Sequence, residues 1–217
     1  NFAPAAGTQL TVVKNTGLSF IVGTFSNLAQ GQGVALSYAG VTYNFVANYH
    51  GGTGNDLVLH WANSKVVAWG FNDFGQLGNN NPMNSAVPVE VNGAGVLSGK
   101  TVIAVAAGVS HSLALCSDGT LAAWGLNSYG QLGNNTTTDS PVPVAVDQTG
   151  VALAGKTVIA VAAGDYYSLA LCSDGTVAAW GHNDNGQLGN NSTTDSLVPV
   201  AVDQSGAALA GKTVVAI

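Results

Sequence analysis

Four histidines, two cysteines and eleven acidic residues are the groups in this 217-residue chain best suited to acid–base, nucleophilic or metal chemistry. Their spacing assembles no reactive site. His50, His60, His111 and His182 share no repeat position and have no i, i+4 or C-x-x-C companions, so zinc has no ligand set. A catalytic thiol needs a basic neighbour to lower its pKa, and neither Cys116 nor Cys172 has one close in sequence. Both read as small buried hydrophobes. They occupy the same slot in separate units, too far apart for a disulfide, which wants Cα atoms within about 7 Å. Asp118 and Asp174 lie in Ser-Asp-Gly turns, where the side chain can bond its own backbone, and Asp139 and Asp195 in Thr-Thr-Asp-Ser are loop or turn formers. Gly130 to Asn135, GQLGNN, lacks the Lys-Ser/Thr of a phosphate-binding loop and no helical pattern follows it. No catalytic residue, metal or cofactor is expected, and the chain is not read as an enzyme.

The elements that hold these residues are repeats. LALCSDGTLAAWGLNSYGQLGNN at 113–135 returns almost unchanged at 169–191, and VVAWGFNDFGQLGNN at 66–80 is a weaker echo. Trp69, Trp124 and Trp180 mark the period, and Gly99-Lys100-Thr101-Val102 recurs at Gly155 and Gly211. A fixed period of this size announces a repeat architecture. Thr101 to Ala107 is apolar, His111 to Cys116 alternates, Ser117-Asp118-Gly119 makes a hairpin turn, and Leu121 to Trp124 is a third strand. After a Gly/Asn-rich loop comes a fourth, Val142 to Val146, whose Pro143 suits an edge. Four such strands make one propeller blade.

The fold expected is therefore all-β: a partial propeller with two full blades over 101–146 and 157–202, a partial blade before them and a lone strand after them. The open arc should leave Val214 and Ile217 exposed. The repeats fill 63–217. Residues 1–62 carry no trace of them and form a small β segment, with alternation at Gln9–Val13, Ser19–Val22, Val34–Tyr38 and Val41–Val46. Gly51 to Leu59 has two readings. One is a glycine turn before a strand from Asp56; the other is a single calcium-binding nonapeptide, which has no second coil to stack on.

AAG-xxHSLAL-xxDG-xxxAWG-xNxxGQLGN followed by PVPV, over about Val66 to Ile217, resembles the regulator of chromosome condensation repeat. The resemblance implies a β-propeller, commonly seven-bladed. Two departures stand out: the family's histidine is present at His111 but is Tyr167 in the next repeat, and two and a half blades fall short of a ring. GTFSNLAQGQGVALSYAGVTYNFVANYHGGTGNDLVL, at 23–59, is similar to the tail of autotransporter-associated β-strand repeat proteins, which implies export to a bacterial surface. A chain that begins at Asn1 without methionine and ends inside a repeat reads as a piece of a longer protein, whose further repeats would supply the missing blades.

Only 7% of residues are charged, the net charge is −6 and arginine is absent, which argues against a nucleic-acid partner. The longest apolar-rich stretch, Thr101 to Ser117, is broken by Gly108, Ser110 and His111, so no membrane span is expected. The repeats differ chiefly in two loops. Val109-Ser110-His111 becomes Asp165-Tyr166-Tyr167, and Leu126-Asn127-Ser128-Tyr129 becomes His182-Asn183-Asp184-Asn185, with Phe71-Asn72-Asp73-Phe74 in the first unit. In an up-and-down blade both loops open onto one face, where a rigid scaffold carries specificity. The candidate binding residues are Phe71, Asp73, Phe74, Ser110, Leu126, Tyr129, Asp165, Tyr166, His182 and Asp184. Drift in unconstrained loops gives the same variability. The three tryptophans read as blade anchors, with carbohydrate platforms as the alternative. The function expected is a non-enzymatic binding or adhesion module of an exported bacterial surface protein, extracellular, taking a protein or glycan. The alternatives are a regulatory propeller, acting in nucleotide exchange on a small GTPase or in inhibition of an enzyme, and a structural spacer.

Overall fold

The computed structural model describes residues 10–13, 28–38, 41–51, 56–61 and 65–217, in two compact units, Asn1–Ser64 and Lys65–Ile217. Every described strand pairing is antiparallel, and a single 3-10 turn at Gly95–Leu97 is the only helical element among these residues. None of their helices is long and apolar enough to cross a membrane.

In the first unit, β1 (Leu10–Val13), β2 (Gly33–Tyr38), β3 (Val41–Gly51) and β4 (Asp56–Trp61) form one sheet in the order β1-β4-β3-β2. Alternation along β3 sends Phe45, Ala47 and Tyr49 to one face, where they bury with Leu57 and Leu59 of β4. The Tyr49 hydroxyl donates to the Leu28 carbonyl at 2.6 Å, so its polar end is satisfied. β3 runs on past Val46 to Gly51, which pairs with Asp56, and Leu57 to Leu59 belong to a buried strand. Residues 52–55, on which the expected glycine turn falls, and the strand expected at Ser19–Val22 lie outside the described residues.

The second unit contains two four-stranded meanders. β7 (Val102–Ala107), β8 (His111–Cys116), β9 (Leu121–Gly125) and β10 (Ser140–Ala145) make one blade; β11 (Val158–Ala163), β12 (Tyr167–Cys172), β13 (Val177–Gly181) and β14 (Ser196–Ala201) make the next. Before them β5 (Val67–Gly70) and β6 (Ser85–Glu90) form a half blade. The expected strand after the second blade is absent, because residues 213–217 have no neighbour to pair with. Val215 and Ile217 are exposed there and Val214 is half-buried.

Blades pack because their middle strands are apolar on both faces, and the faces differ. Leu113 and Leu115 of β8, with Leu121 and Ala123 of β9, point toward the following blade. Ala114, Cys116, Ala122 and Trp124, the intervening residues, point toward the half blade. The following blade answers with Ala170, Cys172, Ala178 and Trp180, so a leucine face meets a face of small residues and one indole. Each fully buried indole removes about 200 Å² from water, roughly 5 kcal/mol of transfer free energy. Trp124 and Trp180 are such anchors. Trp69 is not: it is 62% exposed, because no blade precedes β5 among the described residues to receive it.

The indoles seat on glycines. At Gly133, where φ is +65°, an added Cβ would lie 2.7 Å from Trp180 Nε1. The equivalent Gly189 has φ +58° but meets only Val202, at 3.3 Å. Gly189→Ala should therefore cost about 1 kcal/mol, the left-handed backbone alone. Gly133→Ala should cost about 3 kcal/mol, because the indole must also move. Urea unfolding of the two variants side by side measures the difference.

Candidate functional site

The loops after β5, β9 and β13 are built alike around a buried asparagine. Asn127 is inaccessible to solvent; its Nδ2 donates to the carbonyls of Thr136 (2.9 Å) and Thr138 (3.1 Å), and its Oδ1 accepts from the Leu132 N–H at 2.9 Å. Asn183 does the same with Ser192, Thr194 and Leu188, and Asn72 with Asn81, Met83 and Leu77. The Asn127 and Asn183 N–H groups donate to Asp139 and Asp195, each at 2.7 Å, so these two acids are loop formers. These hubs went unremarked in the sequence, where a polar residue in a polar loop reads as solvated. Their identity in all three repeats was the available signal.

The same loop supplies the blade junction. The Gln131 carbonyl accepts from Trp180 Nε1 (2.9 Å) and from the Ser168 hydroxyl (2.8 Å), and the Gln76 carbonyl accepts from Trp124 Nε1 (2.9 Å) and Ser112 (3.0 Å). Ser168 has given its proton to Gln131, so its oxygen accepts from His111 Nε2 at 3.0 Å, and His111 is the Nε2–H tautomer. Burial holds the His111 pKa down to about 4. Burial likewise pushes the Cys116 thiol up to about 11 and raises Cys172, leaving both sulfurs protonated and inert.

The two variable loops of each blade lie at one end. The Leu126 N–H donates to the Ser110 carbonyl (2.9 Å) and the His182 N–H to the Tyr166 carbonyl (3.0 Å). At the junction between the full blades Tyr129, Tyr166 and His182 come together. Their ring centroids are 5.5 Å apart for Tyr129–Tyr166, 4.5 Å for Tyr129–His182 and 6.4 Å for Tyr166–His182. Asp165 and Asp184 stand exposed on the same loops. Phe71 and Phe74 form a separate exposed pair, edge to face at 6.2 Å, with Asp73 exposed between them in sequence.

Two candidate residues lie below the surface. Ser110 and Leu126 are buried, at 6% and 8% exposure. The strand end at Gly125, with φ +105°, folds so closely over Ser110 that an added Cβ would lie 2.5 Å from its carbonyl oxygen, and the Leu126 N–H is tied to that same oxygen.

His182, Asp184 and Asp195 place one ligand atom each within 4.8 Å of one another. Their donors are already committed. The Gln187 amide is oriented by Asn185 N–H on its Oε1 (2.9 Å), so its Nε2 donates to His182 Nδ1 (3.0 Å). A neutral imidazole then carries its proton on Nε2, which donates to Asp184 at 3.2 Å. A metal would have to displace that proton, and the trio is a hydrogen-bonded loop network. In the other repeats Gln76 Nε2 and Gln131 Nε2 are buried without a partner among the described residues.

Charge separates along the blades. Asp73, Asp139, Asp165, Asp184 and Asp195 occupy the loop end. Lys65, Lys100 and Lys156 sit at the other end, paired with Glu90, Asp118 and Asp174, and Lys212 adjoins Thr213 beside the Gly175 turn. At that turn end burial would raise the Asp118 carboxyl, but its bonds from Lys100 and Thr120 outweigh burial and hold it low.

Two family models described as the regulator of chromosome condensation (RCC1) repeat match the chain, one over residues 64–115, 118–171 and 174–217, the other over 102–131 and 158–187. The ultraviolet-B receptor UVR8 of Arabidopsis thaliana is 34% identical over 155 residues, 71% of this chain and 34% of the receptor. The human E3 ubiquitin-protein ligase HERC2 is 36% identical over 137 residues, 63% of this chain and 3% of the ligase. The chain thus spans about a third of the receptor and a small part of the ligase. Among solved structures, Prp20p of Saccharomyces cerevisiae, described with its binding properties to Gsp1p and histones, superposes with a TM-score of 0.56. It covers 76% of this chain and 37% of that one at 22% identity, a likeness of fold alone.

The buried His111 makes stability depend on pH. Its folded pKa lies below the unfolded value near 6.5, so the unfolded chain binds the proton more tightly. The contribution is present above about pH 6.5 and is lost as pH falls toward 4, by an amount on the order of 3 kcal/mol. In His111→Gln that loss should vanish from denaturant melts taken across the window, leaving only the carboxylate-driven decline at lower pH.

Proposed function

Because the chain belongs to the regulator of chromosome condensation repeat family, whose repeats cover it from residue 64 onward, we propose that it is a protein-binding propeller segment. Its loop end receives the basic side chains of a partner. The observation that carries this reading is the convergence of Tyr129, Tyr166 and His182 at one blade junction, on an end that holds five aspartates and none of the lysines of residues 65–217. Aromatic faces attract Lys and Arg cations, and rigid rings give contact area at small entropic cost. Neighbouring carboxylates add charge-assisted hydrogen bonds. Relatives named as a receptor and a ligase, and a fold neighbour described with its protein partners, support a binding or regulatory role over a spacer. The paired rings Phe71 and Phe74 extend the same surface type onto the half blade. Composition is what supports an extracellular setting: few charges, no arginine, and polarity carried by Asn, Ser, Thr and Gly.

A peptide array and a glycan array, probed with the purified chain, test this reading. Lys- and Arg-containing peptides should be retained, and binding should weaken as salt rises. Tyr129→Ala and Tyr166→Ala should each cost about 1 kcal/mol or more, and Asp165→Asn with Asp184→Asn should flatten the salt dependence. Asp118→Asn, at the opposite end, should leave affinity unchanged. Salt-insensitive retention of neutral glycans alone would replace the proposal with a lectin-like one.

A further inference from the structure

The chain holds two Asn-Gly steps, Asn92-Gly93 and Asn185-Gly186. Each sets a side-chain carboxamide beside a following backbone nitrogen that no Cβ shields, so that nitrogen can attack the carboxamide carbon and close a five-membered imide. Hydrogen bonding separates the two steps. The Gly186 N–H donates to the Asn183 carbonyl at 2.8 Å, and the Asn185 N–H to Gln187 Oε1 at 2.9 Å, so both backbone nitrogens of that step are held in a turn. The hold belongs to the loop itself, because the Gly75 and Gly130 N–H groups make the same bond to Asn72 (3.0 Å) and Asn127 (2.9 Å). The Gly93 N–H has no hydrogen-bond partner among the described residues, and a Cβ added at Gly93 would meet nothing within 4 Å.

The Asn92 carboxamide is oriented for the same attack. Its Oδ1 accepts from the Ala94 N–H at 2.9 Å. Negative charge builds on that oxygen as a nucleophile adds to Cγ, so the bond that aims the side chain also stabilises the tetrahedral intermediate. Its Nδ2, the leaving nitrogen, has no partner among the described residues. Asp147 and Asp203 hold the same position in the later repeats: all three N–H groups donate at 2.8 Å to a loop glycine carbonyl, Asn92 to Gly78, Asp147 to Gly133 and Asp203 to Gly189. Their carboxylates accept from the Thr149 and Ser205 N–H groups, each at 2.9 Å, so the fold takes an aspartate here. The residue that follows is Gln148 or Gln204, whose amide pins the segment to the Gly119 carbonyl (2.9 Å) or the Gly175 carbonyl (3.0 Å). Gly93 has no such arm. Solvent access does not come from an edge position, because Asp147, in the blade flanked on both sides, is half-buried as Asn92 is.

We propose that Asn92 is a self-modification site, at which the Gly93 nitrogen converts the carboxamide to a carboxylate without an enzyme. The Gly93 nitrogen forms a bond to Asn92 Cγ and gives up its proton. The Cγ–Nδ2 bond breaks, and Nδ2 leaves with that proton as ammonia. Solvent water then opens the imide at one of its two carbonyls. Cleavage at Cγ leaves aspartate on an ordinary backbone, and cleavage at the α-carbonyl leaves isoaspartate, with the main chain routed through Cγ. Either product carries a new negative charge and a mass gain of about 1 Da. The aspartate product matches the later repeats, whereas isoaspartate lengthens the main chain between the buried Val91 and the 3-10 turn at Gly95–Leu97.

Incubation of the folded 217-residue chain at mildly alkaline pH tests this, with cleavage after lysine and mass spectrometry using electron-transfer fragmentation. Peptide 66–100 should gain its extra mass at Asn92, as a mixture of aspartate and isoaspartate. Peptide 157–212 should gain it at Asn185 about tenfold more slowly or less, because the Gly186 N–H must first be freed by local opening. In guanidinium, where the fold no longer distinguishes the steps, the two sites should react at similar rates. Gly93→Gln, which places at 93 the residue found at 148 and 204, should suppress the reaction at Asn92 and leave that at Asn185 unchanged. A folded chain in which Asn185 reacts as fast as Asn92, one in which Asn92 stays unmodified while the unfolded chain reacts, or a reaction at Asn92 that survives Gly93→Gln would each overturn the proposal.

Discussion

A backbone carbonyl in a dry interface must find a donor, and in this chain one carbonyl at each of the two blade junctions organises the packing around it. The glutamine of each of the first two Gly-Gln-Leu-Gly-Asn loops, Gln76 and Gln131, turns its C=O toward the next blade, where it is met by an indole N–H and a serine hydroxyl. Leaving such a buried acceptor unpaired costs about 1–3 kcal/mol. The same loop brings its glycines under the indole and its asparagine into the loop's own core, so the residues that shape the loop also lock one blade to the next. Propeller segments otherwise have only nearest-neighbour packing to hold them. Here that packing is directional, because the leucine face and the tryptophan face of a blade are different surfaces.

The aromatic cluster at the loop end is a by-product of that geometry. The junction fixes the distance between the β9–β10 loop of one blade and both loops of the next, so ring-bearing residues at those positions must meet. At the first junction the corresponding residues are Phe74, Ser110 and Leu126, two of them buried, and no cluster of three rings forms. At the second they are Tyr129, Tyr166 and His182, and Gln187 steadies the imidazole through Nδ1. One scaffold therefore displays different chemistry at each junction, which is how repeat proteins acquire specificity without altering their core.

The blades, their strand order and their hairpin turns were legible in the sequence because period-2 alternation and Ser-Asp-Gly turns are local signals. The common end of the variable loops followed from the alternation of connections in a meander. Burial within those loops was not legible. Ser110 and Leu126 vary between repeats as freely as exposed residues do, yet a hydrogen bond and a positive-φ glycine tuck them inward. Trp69 shows the converse. It matches Trp124 and Trp180 in sequence, but its environment depends on a neighbouring blade, which no local pattern encodes. Residues 213–217 failed to form a strand for the same reason.

Native-state hydrogen exchange at the indole N–H groups, followed by NMR in dilute solution, reports on the junction bond itself. The indole protons of Trp124 and Trp180 should exchange only through global unfolding, with protection that tracks the stability of the repeat unit. The Trp69 indole should exchange at close to the rate of a free tryptophan. Rapid exchange at Trp124 and Trp180, comparable with that at Trp69, would contradict the glutamine carbonyl as the point on which the blades are joined.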